Sequence, residues 1–142
     1  MKLGLSMWSV AAVVRKGEMD IPGFIEFAKS LDVDGVELLD FFWNDRESEI
    51  PLVQAALAKT GLPVGVYSVG NNFVVDNQEA WEQQVQIVKY GIDWAEWFGA
   101  DTVRVFAGDV KENVSFHDAC CNQPPRLGVP SASELLLKRQ HA

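Results

Sequence analysis

The sequence predicts an α/β fold built on a parallel sheet. Four short apolar runs carry that prediction: Leu3–Ser6, Gly35–Leu39, Pro63–Ser68 and Thr102–Phe106. Each of the first three is followed by polar residues and then by a stretch of helical periodicity, and strand starts recur about every thirty residues. Strands that alternate with helices of ordinary length read as βα units. Sheets of this kind place their chemistry at the carboxyl ends of the strands.

The elements follow in order. Asp20 reads as the N-cap of a first helix, with Pro22 in the first turn, where a missing N–H costs nothing. Phe24, Phe27, Ala28 and Leu31 fall at i, i+3, i+4 and i+7 and predict one apolar stripe facing the sheet. Asp34-Gly35 turns the chain into the second strand. Ser48 is the expected cap of the second helix, with Pro51 early and Val53, Ala56 and Leu57 on the buried face. Gly61 ends that helix and Pro63 opens the third strand. Asp76, with Glu79 three residues later, resembles a capping box for a long third helix. Trp81, Val85, Val88, Ile92 and Ala95 form its predicted seam, and Gly99 closes it.

Beyond Phe116 the pattern stops. Residues 1–116 read as one folded unit, and residues 117–142 as an irregular tail, out of frame or disordered. His117, Cys120 and Cys121 lie in that tail. Adjacent cysteines lack the usual metal-ligand spacing and have no fourth partner, so a zinc site is not expected there.

Composition narrows the function classes. A chain of 142 residues, 48% hydrophobic and 23% charged, has room for one globular core. The net charge of -8 argues against nucleic acid or an anionic membrane as partner. No run approaches the length of a membrane span, and Met1–Val14 lacks the pattern of a secretory signal. A cytoplasmic location is the expectation. Neither a G-x-G-x-x-G motif nor a P-loop is present, which disfavours a dinucleotide or nucleotide site.

Three segments together carry a resemblance. They are Gly35-Val36-Glu37-Leu38, the strand end Tyr67-Ser68 with Asn71-Asn72 beyond it, and the run from Gly99 to Gly108. In order and spacing these resemble the xylose isomerase-like TIM barrels, a group of sugar and sugar-phosphate isomerases and epimerases that includes the apurinic endonuclease barrels. The match runs from about Lys2 to Phe116. The resemblance implies parallel (β/α) units of a TIM barrel, with about four of the eight strands present and the barrel incomplete. It implies metal-assisted proton or hydride transfer at a sugar carbonyl. The family's divalent metal is held by acidic and histidine ligands on the later four strands, which have no counterpart here. No metal is therefore expected to bind this chain tightly, and whether it acts as an enzyme is left open.

Five residues are candidates for binding a small-molecule sugar or polyol. Glu37 interrupts an apolar strand, so its carboxylate needs a partner. Arg104 holds an equivalent place on the fourth strand, and alternate strands of a barrel share a layer, so the two are expected to meet. A buried ion pair that only fixes packing is the competing reading. Trp8 follows the first strand, where it either stacks on a sugar or packs as wall. Tyr67, Asn71 and Asn72 sit at and after the end of the third strand; the two asparagines suit either hydroxyl recognition or a turn, the turn being the safer reading for at least one of them. Asp40, Trp43, Asn44 and Asp45 form a polar, aromatic loop suited to substrate or to solvent. A four-stranded sheet also leaves two unpaired edges, which two copies would close as a homodimer.

Overall fold

The computed structural model describes residues 1–75 and 77–109. Four strands, β1 (Gly4–Ser6), β2 (Gly35–Leu39), β3 (Val64–Ser68) and β4 (Thr102–Arg104), form a sheet in the order β1-β2-β3-β4. Every neighbouring pair is parallel. The α/β class and the incomplete sheet agree with the sequence reading. Three of the strands are shorter than their apolar runs, because pairing stops where the neighbouring strand ends.

Four helices accompany the sheet: α1 (Ala11–Arg15), α2 (Ile21–Ser30), α3 (Arg46–Thr60) and α4 (Gln78–Trp97). A 3-10 turn at Met7–Val10 leads into α1, a helix the strand-to-helix spacing did not predict. The Asp20 carboxylate accepts from Gly23 N at 2.8 Å, so the first predicted cap is present. The stripe on α2 differs from the expected one. Ile21, Phe24, Ile25 and Ala28 are buried, whereas Phe27 and Leu31 are exposed. Ile25, not Phe27, fills the sheet-facing turn, because the buried face is rotated toward the helix start.

Ser48 does not cap α3. The helix begins one turn earlier, after Asp45, and the Glu49 carboxylate reaches back to accept from the backbone of Asn44 and Asp45. Ser48 instead donates to Asp45 Oδ2 at 2.8 Å. Val53 and Ala56 are buried as predicted, and Gly61 ends the helix at φ +68, a conformation that a Cβ would disfavour. The cap of α4 is Asn77, whose side chain accepts from Ala80 N at 2.9 Å. Asp76, expected in that role, lies outside the described residues, as do His117, Cys120, Cys121 and the rest of the tail.

The core lies between the helices and one face of the sheet. Val36, Leu38 and Tyr67 point into it, with Phe24, Ile25, Ala28 and Val53 opposite them. Each such large apolar side chain contributes roughly 1.5–3 kcal/mol on burial. On α4, Val88 and Ala95 are buried as expected, and so is Gly91, which lies against Val69. The other sheet face carries Glu37, Ser68 and Arg104. Side chains alternate across a strand, so one register decides both faces.

Candidate functional site

Pairing of Leu39 with Ser68 and of Ser68 with Arg104 puts these residues side by side on the inner face. Glu37 lies two residues before Leu39, on the same face. The β2–β3 register shifts between Val36 and Glu37, so the irregularity sits where the carboxylate leaves the apolar layer. Arg104 Nη2 bonds Glu37 Oε1 at 2.8 Å, which brings the two predicted partners together. Between them stands Ser68, fully buried, on the intervening strand. Its hydroxyl donates to Glu37 Oε1 and accepts from Arg104 Nε at 2.8 Å. Three adjacent strands thus contribute one member each to a closed polar network. The Arg104 guanidinium also lies 4.9 Å from the Phe106 ring centre, a cation–π contact that restrains its plane further.

Arg104 opens onto a cleft of about 770 Å³ beyond the carboxyl ends of β2, β3 and β4. Trp8 and Phe41 form an aromatic wall there, their rings edge-to-face at 5.7 Å. Trp8 is half-exposed, and the Arg15 guanidinium covers it at 5.0 Å. Asn71 lines the cleft, but its amide is already engaged. Its Nδ2 donates to Phe106 O at 2.7 Å and its Oδ1 accepts from Phe106 N at 3.0 Å. Asn71 therefore clamps the chain beyond β4 in the way a neighbouring strand would, which is closer to the turn-type alternative than to hydroxyl recognition.

Tyr67 does not join this site. It neighbours Ser68 in sequence, so it points to the opposite face, into the helix-covered core. Its ring stacks on Phe98 at 6.1 Å, and its hydroxyl donates to Asp40 Oδ1 at 3.0 Å. Asp40 is held in turn by Arg46, whose guanidinium lies over Trp43 and Trp94. The polar loop after β2 thus serves the fold. Asn44 and Asp45 start α3, and the Trp43 ring packs on Phe98 at 5.7 Å. Trp43 Nε1 is buried and makes no hydrogen bond of normal geometry, although its proximity to the Tyr67 hydroxyl favours the phenolate slightly.

Burial pushes the Tyr67 phenol well above the usual tyrosine range, and the Asp40 charge adds to this while Arg46 offsets part of it. The folded protein therefore keeps a proton that the unfolded chain loses near about pH 10. The stabilisation is complete below that pH and is lost as pH rises above it. The urea midpoint of the native chain is expected to fall more steeply above about pH 10 than that of Tyr67→Phe. Parallel curves for the two would contradict this assignment.

Several residues of the cleft and its network, among them four polar or aromatic side chains, are absent from the sequence-derived set. Ser68 is one, and its polar character within an apolar strand was the available signal. Gln84, Phe41 and Phe106 are the others; α4 delivers Gln84 from twelve residues beyond Asn72, which no local motif announces. Among the described residues, no three His, Cys, Asp or Glu side chains gather as a metal site. The described residues therefore offer no ligand set for the divalent metal of the family.

The sequence model of the xylose isomerase-like TIM barrel family matches residues 25–123, more than two thirds of the chain. The chain belongs to that family. A solved barrel, the apo form of 3-keto-D-glucoside 4-epimerase YcjR from E. coli, superposes with a TM-score of 0.50 at 20% identity. The match covers 59% of this chain and 32% of that one, so the chain spans about a third of that structure. At this identity the likeness establishes the fold alone. No curated protein matches the chain at a significant level. Within a xylose isomerase-like barrel, the inner sheet face is the barrel interior, and the cleft lies at the end where such barrels bind their substrates. No helix among the described residues is long and apolar enough to cross a membrane.

Proposed function

We propose that this chain is the sugar-binding first half of an isomerase- or epimerase-type barrel, catalytically incomplete by itself. The observation that carries the reading is the Glu37–Ser68–Arg104 network opening onto an aromatic-walled cleft at the carboxyl ends of the strands. An oriented guanidinium supplies hydrogen-bond donors to sugar oxygens, and an aromatic wall suits the apolar face of a sugar ring. The named function of the E. coli structure, epimerisation of a keto-glucoside, supports a carbohydrate substrate. Proton transfer at a sugar carbonyl would require groups from further strands, including those that hold a divalent metal in the family. In this half Arg104 orients the substrate, while Glu37 and Ser68 fix its guanidinium.

A second reading has its own observation. Among the described residues β1 and β4 each pair on one side only, and Phe27 on α2 and Leu31 just after it are exposed. A second copy would close these edges and make an assembly module.

One experiment separates the two. The full chain is mixed with aldoses, ketoses and methyl glucosides in D2O with Mn2+, and sugar binding, deuterium incorporation and molar mass are followed together. Sugar binding by a monomer, without deuterium exchange, is the expected result. Exchange catalysed by the chain alone would overturn the incompleteness, and no sugar binding at tens of millimolar would overturn the carbohydrate reading. A stable dimer without sugar binding would favour the assembly module.

A further inference from the structure

The Arg104 guanidinium is bonded along one edge. Its Nε donates to Ser68 Oγ at 2.8 Å and its Nη2 to Glu37 Oε1 at 2.8 Å. Two bonds on one edge still let the plane roll about that edge, and a half-exposed arginine has rotamer freedom to spend. Contact with the flat face removes this freedom. Phe106 supplies it, with its ring centre 4.9 Å from the guanidinium carbon. The two residues stand two apart at the end of a strand, which sends both side chains to one side, and both line the cleft. Phe106 itself lies beyond β4, whose last residue is Arg104, so strand pairing does not fix its backbone. One side chain does so instead. Asn71 Oδ1 accepts from Phe106 N at 3.0 Å, and Asn71 Nδ2 donates to Phe106 O at 2.7 Å. A carboxamide carries a donor and an acceptor side by side, as a peptide group does, whereas a carboxylate carries acceptors alone. Asn71 is buried, and the loop that bears it is tied down beside it. Asn72 N donates to Gln84 Oε1 on α4 at 2.8 Å, and Phe73 N donates to Ala107 O at 3.2 Å. The two segments run so close that a Cβ at Gly108 would stand 2.2 Å from Asn72 Oδ1.

We infer that Asn71 is a positioning residue for the cleft: by fixing the Phe106 backbone it seats the Phe106 ring on Arg104, and so sets the plane in which the guanidinium meets a ligand. The inference rests on the reading that Arg104 orients the substrate, and adds the residues that orient Arg104. The contacts run from the loop after β3, through the segment beyond β4, and back to the polar network. Asn71 acts through Phe106, since both polar ends of its amide are already used there. A cation held over an aromatic face at an exposed site is worth a factor of about two to five in an equilibrium constant, and that sets the size of the effect.

The test follows the Arg104 Nε–H by NMR in the full chain, as the arginine signal that Arg104→Lys removes, with methyl glucoside titration and urea unfolding alongside. In the unaltered chain this N–H is expected to be more ordered than that of the exposed Arg15. Asn71→Asp keeps an acceptor for Phe106 N but sets a second acceptor against Phe106 O. Phe106→Leu leaves both backbone bonds and removes the ring. Each is expected to loosen the Arg104 N–H and to weaken methyl glucoside binding about two- to fivefold. Combined, they are expected to do no more than either alone, because both act on one contact. Phe106→Tyr keeps the ring face and is expected to keep the ordered signal. Should Asn71→Asp fail to fold, Asn71→Ser takes its place, losing the paired donor and acceptor without adding a charge. An Asn71 variant that loses stability while the Arg104 signal and the affinity stay unchanged would overturn the inference, since Asn71 would then serve pairing alone. Additive losses in the combined variant would overturn it too. If methyl glucoside does not bind even the unaltered chain, the carbohydrate reading is overturned, while the Arg104 signal still decides whether Asn71 orders the guanidinium.

Discussion

Gly91→Ala is expected to destabilise the fold by about 1–3 kcal/mol, in spite of alanine's higher helix propensity. A Cβ at Gly91 would stand 2.2 Å from Val69 Cγ2 and 3.2 Å from Val69 Cβ. Val69 cannot swing aside, since it is fully buried and its branched side chain is stiff at χ1. Helix α4 would have to lift from the end of β3, opening gaps along Val88 and Ala95. Alanine's gain in helix propensity, about 1 kcal/mol, does not offset that loss. Urea unfolding measures the difference. Val69→Ala alone also destabilises, by leaving a cavity, but Val69→Ala combined with Gly91→Ala is expected to cost less than the sum. An additive pair, or an unchanged midpoint for Gly91→Ala, would show that α4 is not held at this contact.

Arg104→Met should be the most damaging substitution in the polar network. It leaves Glu37, whose side chain is 15% exposed, with Ser68 as its one remaining partner in the network. Leaving a carboxylate half-satisfied in that setting costs about 1–3 kcal/mol, less than for a fully buried pair because Arg104 itself is 44% exposed. Glu37→Leu together with Arg104→Met is expected to recover much of the loss, since no charge is then left unpaired. Binding distinguishes a functional network from a structural one. If Arg104 contacts the ligand, the double variant regains stability while sugar binding stays lost. Recovery of both would assign the network to packing alone.

The sequence carried more of the sheet than of the site. Glu37 and Arg104 were legible because a charge inside an apolar strand needs a partner, and the order of parallel strands restricts where that partner stands. Trp8 was legible as an aromatic at a strand end. Tyr67 was misplaced for a definite reason. Its neighbour Ser68 faces the interior, and alternation then sends Tyr67 to the helices, but only the register shows which of the two goes inward. Asn71 was legible as a cleft residue, but its pairing with Phe106 was not, because that partner is thirty-five residues away.

Helix ends show the same division. The Asp20 cap depends on atoms three residues apart and could be read directly. The start of α3 depends on Glu49 reaching back to Asn44 and Asp45, which outcompetes the Ser48 hydroxyl. Phe27 satisfied the helical period but stayed exposed, since the period fixes the spacing of a stripe and not its rotation.

The sequence by itself determined the α/β class, the parallel arrangement of the strands, the presence of α2, α3 and α4 between them, and the meeting of Glu37 with Arg104. These rest on local periodicity, on punctuation by Gly, Pro and Asp, and on the cost of an unpaired charge, all of which act through near neighbours. Tertiary structure alone decided that Ser68 stands between the pair, that Asn71 pins the chain beyond β4, and that Gln84 reaches the cleft. Those outcomes depend on strand register and on how α4 packs against β3 at Gly91, contacts between residues far apart along the chain. No local preference encodes them, because their free energy comes into being only when the sheet and its helices close together.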